Sequence, residues 1–118
     1  MGSIRVNIPM QSSFSLFNSK AAGLLKALDK SLAIIEFDPD GTILWANDCF
    51  CKAMGYTPSE IVGKHHSMFV DADYAKSAEY TEFWASLRKG EFDQKEYRRF
   101  AKGGRAVWIQ ASYNPIVN

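Results

Sequence analysis

Histidine, cysteine and acidic side chains are the groups of this chain that could bind a metal ion or catalyse a reaction. His65 and His66 are its only histidines, and a neutral imidazole is a common ligand of metal ions and of haem iron. The alternative is that one histidine caps or hydrogen-bonds locally while the other is exposed. The residues alone leave both interpretations open.

The cysteines and acids do not suggest an enzyme. Cys49 and Cys51 lie in a predicted short helix, about 200° apart around its axis, which disfavours a disulfide and indicates structural thiols. Asp71, Asp73 and Glu79 lie in a predicted loop and helix start, where acids complement the helix dipole. With no Ser-His-Asp order, P-loop or nucleotide fingerprint, we expect no enzymatic activity.

Local patterns predict the elements that must position these groups. Leu32–Phe37 and Ile43–Ala46 flank a turn at residues 38–41 and predict a β-hairpin. Asn47 is the predicted N-cap of a short helix ended by Gly55, and residues 57–60 predict a second helix with a capping box. A longer helix is predicted over Ser77–Lys89, and its expected core-facing residues are Ala78, Thr81 or Phe83, Trp84 and Leu87.

Two long strands close the predicted domain. They cover Phe92–Phe100 and Ala106–Pro115 and are joined by a turn that contains Gly103 and Gly104. Alternation in the last strand assigns one inward-facing set: Val107, Ile109, Ala111 and Tyr113. Trp108 then faces outward, which indicates a partner surface or a docked helix. The expected fold class is α+β, an antiparallel sheet with short helices on one face.

An amphipathic helix is predicted over Phe14–Leu28. Apolar residues recur there at a 3-4-3-4 spacing, at positions 14, 17, 21, 24 and 28. The helix either packs on its own domain or pairs with its copy in a second chain, and two heptads do not decide between these possibilities.

Length and composition indicate a single globular domain without a nucleic-acid or membrane surface. The chain has 118 residues, 47% of them hydrophobic, and a formal net charge of +1. The small basic group at Arg98, Arg99, Lys102 and Arg105 is interpreted as a solvated strand edge. No apolar run approaches the roughly 20 residues of a membrane helix, so we expect a cytoplasmic protein.

The motifs resemble those of PAS sensory domains. The general ones are Gly-Thr-Ile-Leu-Trp-Ala-Asn-Asp-Cys-Phe at 41–50, Met-Gly-Tyr at 54–56 and Glu-Ile-Val-Gly-Lys at 60–64. The runs at 65–70, 83–92 and 103–115 are similar to PAS domains of bacterial methyl-accepting chemotaxis receptors, including aerotaxis-type ones. The resemblance covers about Ser31 to Val117. It divides the chain into an N-terminal segment, 1–30, and a PAS domain, 31–118.

The resemblance also implies that one strand is absent. PAS domains have five antiparallel strands, and the last in sequence lies in the middle of the sheet, whereas this chain ends at Asn118 before that strand. An open gap would leave two rows of backbone groups without partners. Ile4–Ile8 alternates correctly to fill it, in its own chain or in a partner's. The alternative is that this terminus frays.

The resemblance to aerotaxis sensors suggests a cavity and its ligands. Asn47, His66 and Trp84 match positions that contact a flavin, and the sheet floor would be Ile109, Ala111 and Tyr113. FAD is therefore a candidate, but Val70-Asp71 replaces a basic pair that would hold its pyrophosphate. Haem is less favoured because the helix 77–89 has no histidine, which leaves only His66. The run His65-His66-Ser67-Met68 lacks the reactive cysteine of flavin photosensors.

The function implied is that of a sensory domain in a bacterial chemotaxis-type receptor. Such a domain detects a small ligand or redox state in its cavity and relays the signal through dimer helices, here Phe14–Leu28. The alternative is a cofactor-free interaction and dimerisation module whose cavity is filled by its own side chains, namely Phe50, Phe69, Trp84 and Tyr113.

Overall fold

The computed structural model describes residues 2–9 and 32–116, which form one antiparallel sheet with short helices. The elements in chain order are β1 (Ser3–Pro9), β2 (Leu32–Phe37), β3 (Ile43–Ala46), α1 (Asp48–Met54), α2 (Pro58–Ile61), a first 3₁₀ turn (His66–Phe69), α3 (Ala72–Ala75), α4 (Ala78–Arg88), β4 (Asp93–Phe100), a second 3₁₀ turn (Lys102–Gly104) and β5 (Ala106–Ile116). In this part of the chain, no helix combines the length and apolarity needed to span a bilayer.

The first strand of the chain lies in the centre of the sheet. The strand order is β3-β2-β1-β5-β4, and β1 pairs antiparallel with both of its neighbours. Val6 lies opposite Ile35 on one side and Tyr113 on the other. The prediction that Ile4–Ile8 fills the central position is therefore confirmed, within its own chain, and the fraying alternative is wrong. Alternation is the reason: Ile4, Val6 and Ile8 are all buried.

Side-chain caps fix the turns and helix ends that the sequence predicts. At the β2–β3 hairpin, Asp38 Oδ1 accepts the N–H groups of Asp40 (2.9 Å) and Thr42 (3.0 Å). Gly55 ends α1 in the left-handed conformation, with φ of 80°. The Glu60 carboxylate accepts the Thr57 N–H at 2.7 Å, which confirms the predicted capping box of α2.

The long helix has the predicted bounds, and its predicted buried face is confirmed in part. Ser77 caps α4 by accepting the Tyr80 N–H at 3.1 Å. Ala78, expected to face the core, is exposed; of the alternatives Thr81 and Phe83, Thr81 is exposed and Phe83 is half-buried against the core. Trp84 and Leu87 are buried as predicted, together with Tyr80. Residues 80, 84 and 87 follow the 4-3 spacing of one helix face. Tyr80 is preferred there because its hydroxyl bonds to His66 in the core.

The last strand alternates as predicted. Ile109, Ala111 and Tyr113 are buried, Val107 is half-buried, and Trp108 is 67% exposed on the other face. The helices cover the face onto which Tyr113 projects, so the core lies between that face and α1, the first 3₁₀ turn and α4.

Two predictions concern residues outside the described ranges. The amphipathic helix Phe14–Leu28 lies in 10–31 and stays a prediction. The division at residue 30 also stays a prediction, although residues 3–9 of the N-terminal segment belong to the same sheet as the rest of the domain.

Candidate functional site

The two adjacent histidines have opposite surroundings. His65 is exposed and caps the first 3₁₀ turn: its Nδ1 accepts the Ser67 N–H at 3.0 Å, and its Nε2 lies 2.8 Å from the Asp40 carbonyl oxygen. His66 is only 2% exposed. The sequence suggested that one histidine caps or bonds locally while the other is exposed. His65 is both a local cap and exposed. His66 is neither, because it lies in the core.

His66 joins two tyrosines on opposite sides of the core. Its Nδ1 lies 2.7 Å from the Tyr80 hydroxyl on α4, and its Nε2 lies 2.9 Å from the Tyr113 hydroxyl on β5. Arg99, on β4, donates to the same Tyr113 oxygen from Nε (3.3 Å) and from a terminal nitrogen (3.1 Å). Four elements are therefore connected by one buried chain of hydrogen bonds.

The number of donors fixes the direction of this chain. The Tyr113 oxygen already accepts two N–H groups from Arg99, so its own proton points to His66 Nε2. His66 then carries its proton on Nδ1 and donates it to Tyr80. Burial, followed by the charges of Arg99 and His65, holds the pKa of His66 well below its usual range. The imidazole is neutral, as this arrangement requires.

The phenols of the cluster are weaker acids than in water. Burial raises the pKa of Tyr80 to about 12, and burial likewise raises the pKa of Tyr113. Both side chains stay protonated at neutral pH. The cluster therefore holds neutral hydrogen-bonding groups beside one permanent cation, Arg99. Both nitrogens of His66 are engaged, which leaves it no free lone pair for general base catalysis.

Trp84 packs against the other side of His66. The Trp84 ring centre lies 5.3 Å from that of His66 and 5.7 Å from that of Phe37, both in edge-to-face contact. Its Nε1 is buried and finds no hydrogen-bond acceptor among the described residues. Trp84 thus forms part of an aromatic wall around the histidine.

A small cavity adjoins the polar cluster. Its volume is about 20 Å³, room for about one water molecule. Its polar end consists of His66, Arg99 and Tyr113, and its remaining lining is apolar, from Val6, Ile8, Ile35, Phe37, Phe50, Met54, Phe69 and Ile109.

The structure brings most of the predicted site residues together. Of the six, His66, Ile109 and Tyr113 line the cavity, Trp84 contacts His66, and Ala111 is buried in the core beside them. Asn47 has a different place. Its Oδ1 accepts the N–H groups of Phe50 and Ile34, each at 3.0 Å, and its Nδ2 donates to the Leu32 carbonyl at 2.9 Å. Contact of Asn47 with a ligand stays a prediction and would require these bonds to break.

Two members of the cluster were not predicted from the sequence. Arg99 was interpreted as part of a solvated strand edge, which is wrong because it is 5% exposed. Tyr80 was not assigned to the core face of its helix. Strand parity was the sequence signal that could have placed Arg99 in the core. Tyr97 and Arg99 lie on the same side of β4, and both are buried.

The arrangement of these side chains does not fit a flavin or a haem. Ligand pockets for molecules of drug size have volumes of about 300 Å³ or more, far above the 20 Å³ available here. A haem iron would also need a nitrogen of His66 that is now bonded to a tyrosine hydroxyl. Within residues 2–9 and 32–116 there is also no cluster of three metal-ligating side chains.

Comparison with known proteins agrees with this architecture. A family model described as the PAS fold matches residues 38–118. The biofilm dispersion protein BdlA of Pseudomonas aeruginosa is 45% identical over 92 residues, 78% of this chain. The aerotaxis receptor of Escherichia coli is 34% identical over 80 residues, 68% of the chain. The bacterioopsin transcriptional activator of Halobacterium salinarum is 30% identical over 79 residues, 67% of the chain.

These relatives are much longer proteins. The matched segments cover 22% of the biofilm dispersion protein, 16% of the aerotaxis receptor and 12% of the transcriptional activator. The chain thus spans less than a quarter of the length of each. None of the three names is that of an enzyme, in agreement with the expectation that this chain is not one.

Proposed function

The chain belongs to the PAS family, and on that basis we propose that it is the sensory domain of a bacterial chemotaxis-type signalling protein. Its input is a small ligand or a change of state at the buried cavity beside His66. We place the domain in the cytoplasm. The names of two relatives, an aerotaxis receptor and a biofilm dispersion protein, support a role in signalling rather than in catalysis.

One observation carries this proposal: the hydrogen-bond chain that crosses the core. Tyr80 lies on the helical side, His66 on the 3₁₀ turn, and Tyr113 and Arg99 on the sheet. A group that enters the cavity displaces these side chains or changes their hydrogen bonds, because His66, Arg99 and Tyr113 border the cavity and Tyr80 is bonded to His66. Tyr113 pairs across the sheet with Val6 of the central strand, so the change reaches the sheet.

The mechanism is a shift between two populations of the domain. A ligand shifts the equilibrium only through its different affinity for the two states. The two states here differ in whether Tyr113 is bonded to His66 and Arg99, and the sheet carries that difference to flanking segments. No step of this mechanism requires a bound cofactor.

The test is a signalling assay with the polypeptide that contains this domain in the cell. Tyr113→Phe removes the hydroxyl that joins His66 to Arg99, and His66→Gln replaces the imidazole with a group that does not titrate. We expect both variants to change the motility response at unchanged protein abundance. The matched control is Glu82→Gln, at an exposed position of α4, which should respond normally. Normal signalling in both cavity variants would contradict the proposal.

A second candidate is a cofactor-free interaction module, favoured by the nearly filled core. Aromatic side chains leave a cavity of only about 20 Å³, and Trp108 is 67% exposed on the opposite face of the sheet. An absorption spectrum of protein purified from cells, before and after dithionite, separates cofactor-bound from cofactor-free forms. We expect no band above the protein absorption. A flavin band that bleaches, or a Soret band, would contradict the volume argument.

A further inference from the structure

Arg99 is a buried cation without a carboxylate partner in the part of the chain that the structure describes. It is 5% exposed, and none of the three ion pairs found there includes it. Its partners are the Tyr113 hydroxyl, the Arg98 carbonyl at 3.1 Å and the Tyr97 ring, whose centre lies 4.5 Å away. All three are neutral, whereas buried charged side chains are normally paired.

The guanidinium also has unused donors. It carries five N–H groups, and its bonds to Tyr113 and Arg98 use three of them, one on each nitrogen. One N–H therefore remains on each of the two terminal nitrogens. Arginine can bind a planar anion with one N–H group from each of two nitrogens, through two parallel hydrogen bonds.

Asp93, an acid on the same strand as Arg99, is engaged elsewhere. Asp93 accepts the hydroxyl proton of Tyr97 and lies 3.8 Å from the Lys95 ammonium. Its carboxylate is half-exposed and forms no ion pair with Arg99. The positive charge in the core is therefore not neutralised by this neighbour.

Arg99 borders two hollows of opposite character. The surface groove, of about 290 Å³, is also lined by Asp71, Glu79 and Glu96, whose charges repel an anion. The buried cavity has no carboxylate in its lining, and its polar end is formed by Arg99 with the Tyr113 hydroxyl and neutral His66. An anion is therefore favoured in the buried cavity.

We propose that the buried cavity is a binding site for a small planar monovalent anion, such as formate or nitrate, held by Arg99. This proposal names the ligand class for the sensory site and so depends on the proposed function. The cavity volume of about 20 Å³, room for about one water molecule, limits the ligand to a few atoms and requires the lining to move when it binds. Met54, an unbranched side chain in the lining, can shift to accept them.

The experiment titrates the purified chain with sodium formate and with sodium nitrate at constant ionic strength set by sodium sulfate. The Arg99 Nε–H signal in a nitrogen–proton correlation spectrum reports binding at the guanidinium, and the thermal midpoint reports it independently. We expect saturable shifts with both anions and a rise in the midpoint. Formamide, which is similar in size to formate but neutral, should produce neither effect.

Adjacent arginines provide a matched pair of variants. Arg99→Gln should weaken formate binding at least tenfold, whereas Arg98→Gln, the same change at an exposed residue, should leave it unchanged. Arg99→Lys keeps the charge without the paired nitrogens and serves if Arg99→Gln does not fold. It should also bind more weakly than the unmodified chain.

Three results would contradict the anion site. Equal weakening by Arg98→Gln and Arg99→Gln, or equal effects of formate and formamide, would overturn the anion site. So would the absence of saturation in the unmodified chain. In each of these cases the sensory proposal would stand if Tyr113→Phe and His66→Gln still altered signalling in cells, so the two failures are distinguishable.

Discussion

At the scale of the residue, His66 links the chemistry of the core to pH. Its pKa in the folded protein is lowered by burial, by Arg99 and by His65, whereas in the unfolded chain it is near the ordinary 6.5. Above pH 6.5 both states hold a neutral imidazole. Below it, the unfolded state binds a proton that the folded state does not, so folding stability falls with falling pH.

We therefore expect the free energy of unfolding to decrease between pH 6.5 and pH 5, by at most about 1.4 kcal/mol per pH unit. His66→Gln removes the titrating group and should flatten this dependence. Urea unfolding at several pH values, followed by circular dichroism, measures it. Equal slopes in the two proteins over this range would show that another group is responsible.

Asn47 is a second single residue with a testable role, and this role is structural. It caps α1 through the Phe50 N–H and also binds two backbone groups of β2. Asn47→Ala should lower the free energy of unfolding by about 2 to 3 kcal/mol, the sum of a cap and buried hydrogen bonds. Asn47→Asp keeps the acceptor oxygen and loses the donor to Leu32, so its free energy of unfolding should lie between those of the unmodified chain and Asn47→Ala. A loss below about 0.5 kcal/mol in Asn47→Ala would contradict this role.

At the scale of the element, the central strand comes from the first residues of the described chain. Because β1 pairs on both sides, its amides exchange only when the sheet opens. We expect Ile4, Val6 and Ile8 to be among the amides that exchange most slowly. Val6→Asp, which buries a charge, should abolish cooperative unfolding, whereas Asn7→Asp on the opposite face should be tolerated. Fast exchange across residues 4–8 would contradict the central position.

The hairpin turn offers a second test at this scale. Gly41 has φ of 91°, and a Cβ there would lie 2.6 Å from Nε2 of His65, a ring held by bonds to Asp40 and Ser67. Gly63 has φ of 87° but no atom within 4 Å of its Cβ position. Both Ala variants incur backbone strain, of order 1 kcal/mol. Gly41→Ala should be the less stable in thermal unfolding, and equal midpoints would show that the His65 contact is unimportant.

At the scale of the whole molecule, we predict that two copies associate through the predicted helix Phe14–Leu28. We expect a mass in solution near twice the 13.3 kDa of one chain. Leu24→Glu, within the apolar seam, should reduce it to that of one chain, whereas Lys26→Glu should not. Light scattering coupled to size-exclusion chromatography measures both. A monomeric unmodified chain would instead favour the helix packing on its own domain.

The sequence by itself determined the local structure. The hairpin, the caps at Asn47 and Thr57, the long helix α4 and the inward parity of β5 depend on neighbouring residues, so they could be predicted from spacing. The alternation of Ile4–Ile8 even indicated which segment fills the sheet, although pairing with two distant strands had to be shown by the fold.

Only the tertiary structure decided the site. Arg99, Tyr80 and Tyr113 are separated from His66 by 33, 14 and 47 positions, and no local period relates such distances. Their meeting depends on the strand order and on the angle at which α4 crosses the sheet. Residue type alone would also place an arginine at the surface, whereas Arg99 is buried. Packing therefore decided which side chains line the cavity.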